Sequence, residues 1–139
     1  MRRRDKLGFT FIEIMVVVVI LGILAGLVIP KFLGRAEEAR KTKTVVQIRE
    51  LMSALDLYRL DNSSYPTTEQ GLKALVEKPT GEPAPRNWKQ YLDRLPKDAW
   101  GKDYIYICPG VHGAFDLKSL GPDGEESEDD VDSWNLPES

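Results

Sequence analysis

The chain holds one cysteine and one histidine in 139 residues. With Cys108 alone no intramolecular disulfide can form, so a small exported fold must be stapled by other means. With His112 alone, neither a catalytic triad nor a multi-histidine metal site can be built. Cys108, beside Pro109, reads as a small apolar packing residue. His112, in a glycine-rich turn, reads as a surface residue. There is no glycine-rich phosphate loop and no nucleophile elbow. The paired acids gather in one loop, not in a cleft of fixed spacing such as glycoside hydrolysis needs. No block interleaves basic and aromatic side chains and the formal net charge is −3, so nucleic acid is excluded as a partner. These absences describe a protein that is not an enzyme.

What is present is unevenly distributed. Length allows about one domain, and much of the first third is apolar. The last 17 residues carry eight acids and no Lys or Arg. Arg2, Arg3, Arg4 and Lys6 precede the apolar run, as in the basic region of an export signal. No small-x-small site ends that run. From Phe9 to Ile29 it has roughly the 20 residues needed to cross a bilayer, so it is expected to remain as a single anchor. Basic residues flank it on both sides, so the positive-inside rule does not orient it. Gly22 and Gly26 fit a small-xxx-small packing pattern, or are simply glycines of the kind common in membrane helices. Pro30 lacks a backbone donor and is expected to kink or loosen the helix.

Glu13 is the exception within this stretch. A carboxylate costs about 2.5–3.5 kcal/mol at the middle of a membrane helix and less near an interface. Either it snorkels to the headgroups or it requires a partner.

Beyond Pro30 the pattern turns amphipathic. Val45, Ile48, Met52 and Leu55 recur at helical spacing, and Leu51 and Tyr58 widen the stripe. Arg35, Glu38, Arg40, Lys41, Lys43, Glu50 and Arg59 supply the opposite face. Asp61-Asn62-Ser63-Ser64 and Pro66 end the helix. Thr67 or Thr68, with Glu69 or Gln70 near the capping-box position, predicts a short helix that buries Leu72, Leu75 and Val76. Residues 79–86 hold three prolines and read as a loop. Strands are predicted over 104–107 and 114–120, joined as a hairpin through the Gly110–Gly113 turn. Phe115, Leu117 and Ser119 share one face of the second strand, and Asp116 and Lys118 the other.

From Asp123 onward, eight acids repel one another unless something positive intervenes. Composition leaves two readings, a disordered solvating tail or a calcium site. Trp134 argues against the first, because a large ring gains by docking. Calcium takes 6–8 oxygens in irregular geometry. Asp123-Gly124 supplies a turn and Asp129-Asp130 a second pair of carboxylates, without the acid spacing of an EF-hand.

Gly8-Phe9-Thr10-Phe11-Ile12-Glu13, after a basic leader, resembles the class III signal of type IV pilins and pseudopilins. Three further blocks are similar to the major pseudopilins of type II secretion: Tyr65-Pro66-Thr67-Thr68-Glu69-Gln70-Gly71-Leu72; Leu95-Pro96-Lys97-Asp98-Ala99-Trp100-Gly101-Lys102-Asp103-Tyr104-Ile105-Tyr106; and Ser119-Leu120-Gly121-Pro122-Asp123-Gly124. Ala99 stands where many relatives carry proline, which softens that turn.

The resemblance implies an α+β, type IV pilin-like fold: a long N-terminal helix on a small antiparallel sheet, with a C-terminal calcium loop. Residues 1–8 would be a leader cleaved by a prepilin peptidase between Gly8 and Phe9, with N-methylation of Phe9. Residues 9–30 would be the membrane and assembly helix, and the segment from Gly22 to Pro30 would unwind on assembly. Residues 31–139 would be the periplasmic head, on a single-pass protein of the bacterial inner membrane.

Glu13 would meet the new Phe9 amine between neighbouring subunits of a helical homopolymer. Minor pseudopilins and the inner-membrane assembly platform would be its other partners. A structural Ca²⁺ would take the backbone oxygen of Leu120, the side chain of Asp123, an oxygen of Ser127 (or of Glu128 in its place), and the carboxylates of Asp129 and Asp130. The implied function is a pseudopilus subunit driving export of folded proteins. The alternatives are a type IV pilin, against which the missing cysteine pair counts, and an anchored calcium-binding module that never polymerises.

Overall fold

A computed structural model describes residues 8–138 of the chain. The basic leader residues Arg2, Arg3, Arg4 and Lys6 therefore lie outside the described residues. Helix α1 runs Phe11–Asn62 and is followed by a single 3-10 turn at Leu72–Leu75. Three strands complete the order: β1 (Ile105–Ile107), β2 (Asp116–Ser119) and β3 (Val131–Asp132). The described residues divide into two compact units, one up to Glu38 and one from Ala39 onward, and α1 contributes to both.

In the first unit, Thr10 starts the helix. Its hydroxyl accepts from the Glu13 N–H at 3.2 Å and its carbonyl from the Ile14 N–H at 3.2 Å, so it is an N-cap. Glu13 falls in the first turn, where the helix dipole favours a negative charge. The helix continues through Pro30, where a kink or loosening was expected. The Gly26 carbonyl loses its usual donor there. Every described residue of this unit is exposed, including Ile14, Val18, Leu24 and Ile29.

The second unit has its own core. Helix residues Thr44, Val45, Ile48, Leu51, Ala54, Leu55, Tyr58 and Asn62 are buried. They follow the 3.6-residue period, so one stripe meets the rest of the head. Met52, expected in that stripe, is only half-buried at its edge. Fully burying Ile48, Leu51 or Leu55 contributes about 1.5–3 kcal/mol each by transfer. Ser63 stops the helix in a left-handed conformation, φ 67°, and its N–H donates to the Arg59 carbonyl at 2.7 Å.

The capping pair forms, but it closes a turn ahead of the helix. The Gln70 N–H donates to Thr67 Oγ1 at 3.1 Å, and the Thr67 N–H to Gln70 Oε1 at 3.0 Å. Gly71, at φ 63°, then separates this turn from the 3-10 turn. With three residues per turn, Leu72 and Leu75 eclipse on the buried side. Ala74 is buried beside them, its carbonyl accepting from Trp88 Nε1 at 2.7 Å, while Val76 is only half-buried.

The sheet is antiparallel in the order β1-β2-β3. Tyr106 opposes Leu117 and Ile107 opposes Asp116, as in the expected hairpin, with shorter strands. Asp116 is buried, contrary to the alternation read from sequence. Its carboxylate accepts from the Val111 and His112 N–H groups at 3.0 and 3.1 Å and so shapes the connecting loop. β3 was not expected. It pairs Val131 with Ser119 and Asp132 with Lys118. It is followed by a two-way link between Leu117 and Ser133: the Ser133 N–H donates to the Leu117 carbonyl at 2.8 Å, and the Leu117 N–H to Ser133 Oγ at 3.1 Å. Arg49 on α1 donates to the Pro137 carbonyl and ties down the segment beyond.

Candidate functional site

The first site is the start of α1. Gly8, Phe9 and Thr10 lie outside the helix, and Phe9 is 79% exposed. In the uncut chain Phe9 therefore precedes the helix, and the same-face spacing of Phe9 and Glu13 is not formed. Glu13 is exposed on a helix whose apolar stretch is long enough to cross a membrane and contains no buried residue.

The second site is the connection between β2 and β3, which contains the acidic loop. Loop residues 120–130 are held at both ends by strands, so this segment is not a free tail. Leu120 follows β2 and is half-buried. Gly121 takes φ 69°, and a Cβ there would lie 2.9 Å from the Asp129 carbonyl oxygen, so the two limbs of the loop touch. Asp123 Oδ1 accepts from the Glu125 N–H at 3.1 Å and Oδ2 from the Ser127 hydroxyl at 2.8 Å. These two bonds, with the nearby Lys102 charge, hold the Asp123 carboxyl below its ordinary value. The Asp130 N–H donates to the Ser127 carbonyl at 3.3 Å, and the Asp129 N–H approaches Ser127 Oγ at 3.4 Å.

All five residues expected to bind calcium thus share one loop, with Ser127 at its hub. The donor set is entirely oxygen, which suits a hard cation. Asp130 Oδ1 is buried and has no hydrogen-bond partner. An orphaned buried carboxylate oxygen fits an ion-binding position. Among the described residues, no three His, Cys, Asp or Glu side chains converge into a ready-made metal site, so backbone and hydroxyl oxygens belong to the fit.

Sequence reasoning gave Lys118 and Asp98 no role at this loop. Lys118, on β2, holds Glu126 Oε1 at 2.7 Å. That contact raises the Lys118 ammonium and lowers the Glu126 carboxyl from their ordinary values. Asp98 is buried under the loop. It accepts from the Trp100 and Lys102 N–H groups at 3.0 and 2.8 Å and from the Ser119 hydroxyl at 2.7 Å. The Ser119 oxygen in turn accepts from the Gly121 N–H at 3.3 Å. The turn over residues 98–101 is thereby coupled to the start of the acidic loop. The Asp-x-x-Gly pattern of that turn was the available signal. His112 is more than a surface residue: its ring stacks on Trp134 at 3.9 Å and 5°, and its Nδ1 lies 3.0 Å from Asp116 Oδ2. Trp134 is docked by this stack and remains 39% exposed. Cys108 is half-buried with Sγ 3.5 Å from the Ala114 carbonyl.

An uncovered apolar helix start with a carboxylate in its first turn, on the same chain as an amphipathic helical half bearing a small antiparallel sheet, defines a pilin-like subunit. The family model for "Type II secretion system (T2SS), protein G" matches residues 31–134, and the prokaryotic N-terminal methylation motif matches residues 3–29. The chain is 55% identical over 139 residues to the type II secretion system core protein G of Pseudomonas aeruginosa, covering 97% of this chain and 98% of that protein. It is 54% identical over 140 residues to the protein of the same name from Escherichia coli K12, covering 98% and 97%. Among solved structures, the major pseudopilin from the type 2 secretion system of enterohaemorrhagic Escherichia coli matches with a TM-score of 0.68. It is 50% identical, and the match covers 73% of this chain and 92% of that one. The chain belongs to the type II secretion system protein G family.

Proposed function

We propose that this chain is the structural subunit that polymerises into the periplasmic pseudopilus, whose growth drives export of folded proteins across the outer membrane. One observation carries the reading. The family match extends over the head, the methylation motif covers the apolar start, and no residue of that start is buried by the chain itself. An apolar stretch of that length without cover calls for lipid or for other copies of itself. The chain then sits in the inner membrane as a single-pass anchor with its head in the periplasm. It is withdrawn from there by the assembly platform into a filament that minor pseudopilins complete.

The residues divide the task. Cleavage between Gly8 and Phe9 by the prepilin peptidase frees an α-amino group, which is then N-methylated. Removing residues 1–8 leaves no chain ahead of Phe9, so the helix can extend back over Phe9 and Thr10. Glu13 then lies four residues from that amine on one helical face. An ammonium and a carboxylate in an apolar layer neutralise one another and offset part of their desolvation. Between neighbouring subunits, that pairing selects and registers each incoming copy.

Calcium belongs to the same proposal. Leu120, Asp123, Ser127, Asp129 and Asp130 would hold it. When bound, it supplies positive charge that relieves repulsion among the carboxylates and cross-links the loop. The orphaned Asp130 oxygen supports this.

Glu13→Ala tests assembly. In cells overproducing the secretion system, the variant is expected to insert and be processed normally yet yield no sheared filaments. Wild-type filament yield from Glu13→Ala would refute the role. Mass spectrometry of the mature N-terminus separates the readings: N-methyl-Phe9 is expected of a filament subunit, and an intact Met1 would point to a non-polymerising anchored module.

A further inference from the structure

Asp98 and Ser119 form a buried polar pair at the start of the acidic loop, and neither belongs to the calcium ligands named above. Asp98 is 4% exposed and Ser119 is wholly buried. An ionised carboxylate only accepts hydrogen bonds. Oδ1 of Asp98 is filled by the Trp100 and Lys102 N–H groups, at 3.0 and 2.8 Å, and Oδ2 by the Ser119 hydroxyl at 2.7 Å. The Ser119 proton is therefore committed to Asp98, and its oxygen is left to accept from the Gly121 N–H at 3.3 Å. The turn that carries Asp98 is fastened to α1, where Thr44 Oγ1 accepts from the Ala99 N–H at 3.3 Å. A row of polar groups thus runs from the long helix, through the turn over residues 98–101, to the backbone of the loop.

The last bond of that row fixes Leu120 as well. The Gly121 N–H and the Leu120 carbonyl belong to one peptide group, which is trans and planar. In such a group the N–H and the C=O point in opposite directions. An N–H aimed at Ser119 Oγ therefore turns the Leu120 oxygen away from Ser119. Gly121 also sits against the other limb of the loop, since a Cβ there would lie 2.9 Å from the Asp129 carbonyl oxygen.

We propose that Asp98, acting through Ser119, is the positioning residue for the Leu120 carbonyl and so sets how well that oxygen is presented to Ca²⁺. This rests on the calcium reading. Asp98→Asn keeps the shape of the side chain and reverses the polarity of one atom. With its oxygen held by the Trp100 and Lys102 N–H groups, its amide N–H meets Ser119 Oγ as a donor. The serine proton must then turn elsewhere, toward the Gly121 N–H, and the peptide is released. Ser119→Ala removes the relay and leaves Asp98 in place.

The experiment compares the full chain in detergent micelles with Asp98→Asn, Ser119→Ala and Ile48→Val, a core change on α1 outside the row. Ca²⁺ affinity is titrated calorimetrically and thermal unfolding is followed in EGTA. Tb³⁺ in place of Ca²⁺ reports coordinated water through its luminescence lifetimes in H₂O and D₂O. Expected for Asp98→Asn and Ser119→Ala is Ca²⁺ binding weaker by about 10–100-fold, with a further coordinated water where the carbonyl has withdrawn. Ile48→Val should lower the EGTA midpoint and leave affinity and hydration at wild-type values. Wild-type affinity and hydration in either relay variant overturn the proposal, however much stability is lost. If Asp98→Asn does not fold, Ser119→Ala alone decides. Weaker binding with no gain in coordinated water also overturns it, since that marks a general loosening. If wild type binds neither Ca²⁺ nor Tb³⁺, the calcium reading itself fails and the positioning role falls with it.

Discussion

Gly124 is the residue on which the acidic loop turns. It combines a left-handed backbone, φ 70°, with a lysine side chain packed across its α-carbon. Alanine there would cost about 1–2 kcal/mol for the backbone alone and would also displace Lys102. Gly124→Ala is expected to lower the thermal midpoint of the head by about 4–8 °C or more, as read by circular dichroism. Asp116 governs a different loop. Burial alone would raise its carboxyl, but the His112 ring and the N–H groups of Val111 and His112 outweigh it and hold the group below its ordinary value of 3.8. A depressed carboxyl contributes stability that is fully present above the unfolded value and is lost as pH falls through the folded one. Urea midpoints should therefore fall in acid, below about pH 4, and Asp116→Asn should flatten that limb while lowering stability at neutral pH. Sequence reasoning found the polar residues of both loops but not their tasks. A carboxylate's value lies in the donors that surround it, and these arrive from residues whose proximity the loop itself creates.

At the scale of elements, the core is carried by the second half of α1 together with buried residues of the 3-10 turn and the strands, among them Leu75, Tyr106 and Leu117. Leu117 is fully buried at the centre of β2. Leu117→Ala is expected to cost about 2–5 kcal/mol, whereas Leu60→Ala, at a position 79% exposed, should change stability by less than about 0.5 kcal/mol. Chemical denaturation of the two variants side by side checks the contrast. An apolar run of bilayer length and, beyond Pro30, a 3.6-residue spacing made α1 legible almost to its ends. The short helix was overestimated, since Gly71 interrupts it just after the capping pair. β3 could not be read at all. Two residues, one of them apolar, carry no period, and their pairing is imposed by Ser119 and Lys118 on the neighbouring strand.

At the scale of the whole molecule, the proposed calcium would take the place that a disulfide fills in many small exported domains. If an ion completes the acidic loop, the full chain in detergent should melt several degrees higher in millimolar Ca²⁺ than in EGTA, in a concentration-dependent manner. Identical melting curves would dismiss the ion. The N-terminal signature and the loop composition were visible as strings of residues. What remained invisible was that the loop is bracketed by strands, because the downstream bracket is a partner chosen by tertiary contact.

β3 lies C-terminal to everything it pairs with, and the Arg49 contact to Pro137 lies further still. A ribosome delivers the hydrophobic anchor first and the edge strand more than a hundred residues later. The three-stranded sheet therefore cannot close while synthesis is under way at its earlier strands. If the proposed anchor enters the bilayer as it is made, a nascent copy is already tethered when its last strand zips shut.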